Sequence, residues 1–212
     1  MSDKEGLDRR SFSKVAIGAA AYAGVDSTSA NAEENPIYKD SSQAPVARAM
    51  DLVSRMTVEE QIAQLVCPPS KDVLPFLTDS TSENDPFKYG IGGLLKVSGR
   101  LGPAENTQLV NKIQREVMAR SRFGIPAMVC EECLHGFLAQ GATVYPQAIG
   151  MSCSWDPSMV EDTYASIAAE ARSRGTSHCF SPNIDICHDP RWGRSEETWG
   201  EDPYLTSVFA SA

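Results

Sequence analysis

The stretch DPRWGRSEETWGEDPYL, residues 189–205, combines two arginines, five carboxylates and two tryptophans between turn-forming prolines and glycines. Arg191 and Arg194 are three positions apart, so one guanidinium can fork onto a carboxylate while the other donates to a hydroxyl of a ligand. The carboxylates available as partners are Glu196, Glu197, Glu201 and Asp202. We therefore expect most of these charges to hold the loop in shape and one or two of them to face a binding site.

A second group of polar residues occurs in CEECLHG, where Glu131, Glu132 and His135 fall within five positions. Carboxylates accept hydrogen bonds from vicinal hydroxyl groups, and a neutral polar ligand tolerates such charges. The pattern suits a polyhydroxylated ligand. A solvated turn at the end of a strand would use the same residue types.

The chain has six cysteines, and Cys130 and Cys133 form one CxxC pair. A metal site there would need further ligands, for which His178, Cys179, Cys187 and His188 are the candidates. Their spacing fits no standard zinc pattern. We predict buried or singly paired thiols, no bound metal and no cofactor. A metal-binding redox protein built on this CxxC pair is an alternative.

Two helices are predicted at the start of the folded part. Apolar residues at helical spacing predict the first helix over 45–56. Thr57 and Glu60 have the spacing of a capping box, which predicts a second helix that ends before the two prolines at 68–69. Residues 70–88 are polar, contain two prolines and are predicted to form a long loop.

The remaining chain alternates between strand and helix patterns. Short apolar runs predict buried strands in YGIGGLLKVSG, IPAMVCEE and SHCFSPNIDI. Between them, apolar periodicity predicts helices over 104–120 and 156–175, the latter with Asp156 as its cap and Pro157 at its first position. Strands of five to eight residues alternating with helices of ten to eighteen indicate parallel βα units. In such folds, the functional loops follow the carboxyl ends of the strands.

Charge and the N-terminus limit the class of protein. A formal net charge of -9 argues against a nucleic-acid partner, which requires a basic face. DRRSFSK, the short apolar run 15–25 and a small-x-small site at 30–32 have the order of a twin-arginine signal peptide. That apolar run is too short for a stable membrane span. We expect residues 1–32 to be the signal, 33–45 a flexible lead-in, and the protein to be prokaryotic and exported.

The run PNIDICHDPRWGRSEETWGEDPYLTS resembles the signature of glycoside hydrolase family 3, in its β-glucosidase and β-xylosidase branch. Other matching segments are LVSRMTVEEQIAQL, GIGGLL, EECLHG and ATVYPQAIGMSCSWDP, so the resemblance covers roughly residues 46–207. It implies a retaining exo-acting β-glycosidase with a (β/α)₈ TIM-type barrel.

The resemblance also assigns roles to residues. It implies that Glu132 and Arg194 bind the sugar, whereas Arg191 and Glu197 are structural. Glutamate at position 132 departs from the aspartate of many members and leaves the sugar undetermined. Some members link the position of Cys187 to a second cysteine, but here Ser195 occupies that second position, so no such bridge is expected.

The resemblance implies that the nucleophile is the aspartate of an Asp-Trp motif on a later strand and that a Lys-His pair lies between it and the charged loop. Neither dipeptide occurs in this sequence. Asp156 in SWD precedes Pro157 and fits a helix cap better than a nucleophile. A complete barrel takes about 250 residues. We therefore expect residues 46–212 to form the N-terminal half of the barrel, with no catalytic carboxylate and no activity alone. The alternative is a non-catalytic carbohydrate-binding remnant or pseudoenzyme.

Overall fold

The structure is a computed structural model that describes residues 36–78, 82–99 and 101–212. The predicted signal at 1–32 lies outside these residues. The chain forms two compact units. The first ends at Ser54, and the second runs from Arg55 to Ala212. Throughout the described ranges, no helix combines the length and the apolar character that crossing a membrane requires.

The first unit contains a 3₁₀ turn, Ile37–Lys39, and most of helix α1, Pro45–Arg55. The backbone N–H of Tyr38 donates to the Asp51 carboxylate at 3.0 Å, and Arg48 Nε donates to the Tyr38 carbonyl at 3.0 Å. These two bonds fasten the turn to the helix within residues 36–54.

The second unit is built on three parallel strands, β1 Gly93–Leu95, β2 Met128–Glu131 and β3 His178–Cys179, in the order β1-β2-β3. Gly93 pairs with Met128, and Glu131 pairs with Cys179. Helix α4, Pro103–Arg120, lies between β1 and β2 in the chain, and helix α6, Pro157–Ser173, precedes β3. The predicted parallel βα arrangement is confirmed.

Side-chain alternation gives the sheet two different faces. Leu94 and Val129 are buried on the face covered by α4, where Ile113 and Val117 pack against them. On the opposite face, Met128 is 47% exposed. Because successive side chains point to opposite sides of a strand, the residue parity in β2 decides which side chains enter the helix-covered core.

The predicted loop at 70–88 and the predicted strand lengths are wrong. The predicted loop at 70–88 begins with helix α3, Ser70–Val73, and a 3₁₀ turn, Leu74–Leu77. This segment is ordered because Val73 and Leu77 join the core beside α4, a tertiary contact that local polarity does not reveal. The strands are two to four residues long instead of five to eight, since regular pairing ends where the chain turns into the loops.

Helix α2, Val58–Ala63, begins at the predicted capping box and ends earlier than expected. The chain leaves the helix because the next residues run alongside β1. There, Gly93 N–H donates to the Val66 carbonyl at 3.0 Å, and Leu95 N–H donates to the Pro68 carbonyl at 3.0 Å. This segment adds an irregular neighbour to the edge of the sheet.

Two further helices were not predicted, α5 Ala148–Ser152 and α7 Pro203–Ser211. Both contribute to a second apolar cluster, through Ala148 and Met151 of α5 and Phe209 of α7. The centre of this cluster is Trp199, which is 1% exposed and stacks on Phe209 with the ring centroids 5.1 Å apart.

Candidate functional site

An open groove of about 630 Å³ lies where the chain leaves β2 and β3. Its lining comprises Glu132, Leu134, residues 178–185 and Arg194. It therefore occupies the carboxyl edge of the parallel sheet, where functional loops of such folds gather. Among the sequence-predicted residues, Glu132 and Arg194 both line it.

Glu132 is the first residue beyond β2. Its Oε1 lies 3.5 Å from Lys96 Nζ, and its side chain is 32% exposed. Lys96 has φ +58°, a left-handed conformation that is uncommon outside glycine, and its N–H donates to the Cys130 carbonyl at 3.0 Å. The ammonium group therefore lies beside the carboxylate at the end of the neighbouring strand.

Arg194 reaches the groove from the charged loop and is held by Glu197. Arg194 Nε and Nη2 both donate to Glu197 Oε2, at 2.8 and 2.5 Å. This hydrogen bond lowers the pKa of Glu197 and raises the pKa of Arg194, and the charge of Glu132 contributes to the latter shift. The Arg194 side chain is 55% exposed, so the guanidinium is fixed at one end and open to a ligand at the other.

Glu197, for which a structural role is predicted, has a second neighbour besides Arg194, since Asn183 Nδ2 lies 3.5 Å from its Oε2. The partner of Arg191 differs from the expected set. Arg191 Nη2 lies 2.6 Å from Asp189 Oδ2, an interaction within the same turn. Asp202 caps α7, because its Oδ1 accepts from the N–H groups of Tyr204 and Leu205.

Glu131 and His135, the other two residues of the acidic motif, do not line the groove. Glu131 is 5% exposed and accepts from Ser98 N at 2.7 Å and Ser98 Oγ at 2.8 Å. His135 Nδ1 lies 3.0 Å from the Tyr145 carbonyl, and Tyr145 N–H donates to the His135 carbonyl at 2.7 Å. These contacts give both residues structural roles.

Tyr164 of α6 forms a hydrogen bond with the loop that carries Glu132. Its hydroxyl donates to the Leu134 carbonyl at 2.7 Å. Burial raises the pKa of Tyr164 to about 12, which keeps the phenol protonated and able to donate. The position of the carboxylate therefore depends on packing behind the groove as well as on β2.

The cysteines of the CxxC pair face different partners. Burial and, to a smaller extent, the interaction with Cys67 raise the pKa of Cys130 to about 11. Cys133 belongs to a separate apolar cluster, against which Cys179 packs. Within the described ranges, no cluster of three or more histidine, cysteine or acidic side chains could hold a metal ion.

Sequence reasoning missed the wall formed by residues 178–185 and the contact of Lys96 with Glu132. A signal for the wall was present, since Asn183 and Asp185 follow directly on the predicted third strand. No local pattern signals that Lys96 adopts a left-handed conformation.

Comparison with known proteins shows matches along most of the chain. The model of the glycosyl hydrolase family 3 N-terminal domain matches residues 57–212. A periplasmic β-glucosidase of Salmonella typhimurium is 34% identical over 79% of this chain and 20% of its own length. A β-xylosidase of Formosa agariphila is 37% identical over 55% of this chain and 17% of its own length.

A solved structure of a β-glucosidase from Erythrobacter marinus is 51% identical, with a TM-score of 0.78, over 84% of this chain and 23% of that chain. The chain spans about a fifth of the length of the curated relatives. The predicted TIM-type α/β fold class is confirmed by the family match and this structural likeness. From position 57 to its last residue, the chain belongs to glycosyl hydrolase family 3 and has the fold of that family's N-terminal domain.

Proposed function

We propose that this chain supplies the sugar-binding wall of a retaining, exo-acting β-glycosidase of the β-glucosidase or β-xylosidase type. The observation that carries the proposal is that Glu132 and Arg194, which come from different loops, line one groove. The names of the relatives, which include β-glucosidases and β-xylosidases, support the substrate class.

The two side chains are chemically complementary to a sugar ring. The carboxylate of Glu132 accepts hydrogen bonds from adjacent hydroxyl groups, whereas the guanidinium of Arg194 donates to a hydroxyl oxygen. Lys96 Nζ lies 3.5 Å from Glu132 and adds a second cationic donor at the edge of the groove. A terminal β-linked sugar is therefore the ligand that we assign to the groove.

Binding and hydrolysis make different demands on the chain. Retaining hydrolysis uses two carboxyl groups about 5 Å apart, one as nucleophile and one as acid. The Asp-Trp dipeptide, which the family resemblance associates with the nucleophile, does not occur in this sequence. We therefore expect this chain to bind a β-glycoside without hydrolysing it.

Calorimetric titration of the purified chain with p-nitrophenyl β-D-glucopyranoside and β-D-xylopyranoside tests the proposal, with the α anomers as matched controls. We expect saturable binding of at least one β anomer, weaker binding of its α partner, and no release of p-nitrophenol. Failure to bind either β anomer would refute the sugar-binding role. Release of p-nitrophenol would show that a reactive carboxylate pair is present after all.

A carbohydrate-binding protein without turnover is the second candidate, because the two assigned groove residues, Glu132 and Arg194, suit hydrogen bonding to hydroxyl groups. The reading frame downstream of the codon for Ala212 distinguishes the two. An in-frame continuation that encodes both dipeptides supports the hydrolase. A stop codon with neither motif beyond it supports the binding protein.

We also propose export by the twin-arginine route, with residues 1–32 as the signal. The support is the order of the paired arginines Arg9 and Arg10, the apolar run and the small-x-small site. The proposal predicts a mature N-terminus near residue 33 in exported protein. Replacement of both arginines by lysine should retain the protein inside the cell, and unchanged export of that variant would refute the route.

A further inference from the structure

Two thiols come together where the chain leaves β2 and β3. The sheet register pairs Glu131 with Cys179, and Cys133 follows two residues after Glu131. Cys179 packs against the apolar cluster that contains Cys133, together with Phe137 and Ile167. The pair therefore joins the loop that carries Glu132 to the strand that forms the groove wall.

The two thiols differ in access to solvent. Cys133 is 0% exposed, whereas Cys179 is half-buried and lines the open groove. A reagent that enters the groove consequently meets Cys179 first. Cys133 is placed behind it as the second thiol.

The interaction between the two thiols supports the same division of roles. It lowers the pKa of Cys179 and raises the pKa of Cys133. Burial raises the pKa of Cys133 further. The groove-lining sulfur is therefore the more readily ionised of the two, and thiolates are the nucleophiles of disulfide exchange.

We propose that Cys133 and Cys179 are a redox-active dithiol that closes to a disulfide by exchange with a small-molecule disulfide entering the groove. In the first step, the Cys179 thiolate attacks one sulfur of the disulfide, forms a mixed disulfide and releases one thiolate. In the second, the Cys133 thiol passes its proton to the thiolate released in the first step, attacks the Cys179 sulfur and releases the other thiolate. The protein pair loses two electrons and two protons, and the small disulfide becomes two thiols.

Closure would tie the residue after Glu132 directly to the groove wall. An S–S bond of about 2.05 Å would replace a non-covalent contact, so the loop of Glu132 would be covalently attached to β3. The oxidised and reduced forms therefore differ in how firmly this loop is fixed. This inference stands on the thiols alone and does not depend on the sugar-binding role.

Disulfide mapping of the purified chain tests the proposal. The chain is incubated with glutathione disulfide or with reduced glutathione, blocked with N-ethylmaleimide, and digested without reduction for mass spectrometry. After oxidation we expect a cross-linked peptide containing Cys133 and Cys179, with the loss of two alkylated thiols and reversal by dithiothreitol. Recovery of both residues as alkylated peptides, or as cross-links to other cysteines, would overturn the proposal.

Two variants and one condition sharpen the result. Cys133→Ser should leave Cys179 trapped as a mixed disulfide with glutathione, whereas a Cys179 that stays alkylated would contradict its role as the attacking thiol. Cys153→Ser, which removes an exposed thiol outside the groove, is the matched control and should leave the cross-link unchanged. In denaturant the cross-link should lose its preference over other pairings. The mapping on the unmodified chain decides the proposal even if a variant fails to fold.

Discussion

Replacing Arg194 by alanine is the most informative perturbation of the groove. Its guanidinium has five N–H donors, of which one on Nε and one on Nη2 are directed to Glu197 Oε2. Three donors remain available to a sugar hydroxyl. The side chain is 55% exposed, so in the free protein these donors are hydrogen-bonded to water. We therefore assign the free-energy gain of one charged hydrogen bond to ligand binding.

A loss of one such bond corresponds to about a tenfold increase in Kd for the preferred β-glycoside. Calorimetric titration of the purified chain measures this change directly. Arg194→Lys should recover only part of the affinity, since lysine keeps the charge but loses the planar fork. An unchanged Kd in Arg194→Ala would refute the assignment of Arg194 to the sugar.

The loop contains its own matched control. Arg191 lies three residues away, is 89% exposed and pairs with Asp189 rather than lining the groove. Arg191→Ala removes the same charge from the same loop and should leave the Kd unchanged. Equal losses in the two variants would mean that affinity follows the net charge of the loop and not the position of Arg194.

Three further predictions concern stability and are measured by urea unfolding. Trp199→Ala should lower the free energy of unfolding by about 3–5 kcal/mol, because removal of the 1% exposed indole leaves a cavity. A loss below about 1 kcal/mol would contradict this and show that the neighbouring side chains fill the cavity. Gly136→Ala should cost more than about 1 kcal/mol, since φ is +132° and the added Cβ would lie 2.3 Å from the Thr143 carbonyl oxygen; wild-type stability would contradict this geometry. The hydrogen bond from Arg122 lowers the pKa of Glu60 below its ordinary 4.5. The ionised Glu60 therefore stabilises the fold fully above pH 4.5, and this contribution is lost as the pH falls through the lowered pKa. Glu60→Gln should therefore flatten the acid limb of the stability profile, and an unchanged limb would exclude this carboxylate as its source.

Local patterns predicted the features that depend on neighbouring residues. The capping box is present as expected, with Thr57 N–H donating to Glu60 Oε2 at 2.8 Å and Glu60 N–H donating to Thr57 Oγ1 at 3.3 Å. Asp156 caps α6 by accepting from Ser158 and Met159 N–H. Such contacts span two or three residues, so sequence spacing determines them.

Features that depend on distant residues were not predicted. Ser70–Val73 is helical because Val73 packs into the core, and Trp199 anchors the charged loop by burial rather than by charge. The sequence analysis assigned most of the charges of that loop to holding it in shape. Apolar packing supplies the anchor, and the ion pairs of Arg191 and Arg194 are short-range and exposed.

The acidic pair at the end of β2 contained an unused signal. Alternation along the strand places Val129 and Glu131 on the helix-covered side, so the next residue, Glu132, belongs to the opposite side. The structure agrees, since Glu131 is buried against Ser98 whereas Glu132 lines the groove. Strand parity therefore distinguishes the structural carboxylate from the binding candidate, and it can be counted from the sequence of β2.

The central claim is that the groove between Glu132 and Arg194 binds the sugar, and an NMR titration tests it most directly. The ¹⁵N-labelled chain is titrated with p-nitrophenyl β-D-glucopyranoside or its xylose analogue while backbone amide shifts are followed. We predict saturable shifts that cluster on Glu132, residues 178–185 and Arg194. Shifts that do not saturate, or that cluster instead in the separate groove at residues 137–140, would contradict the account.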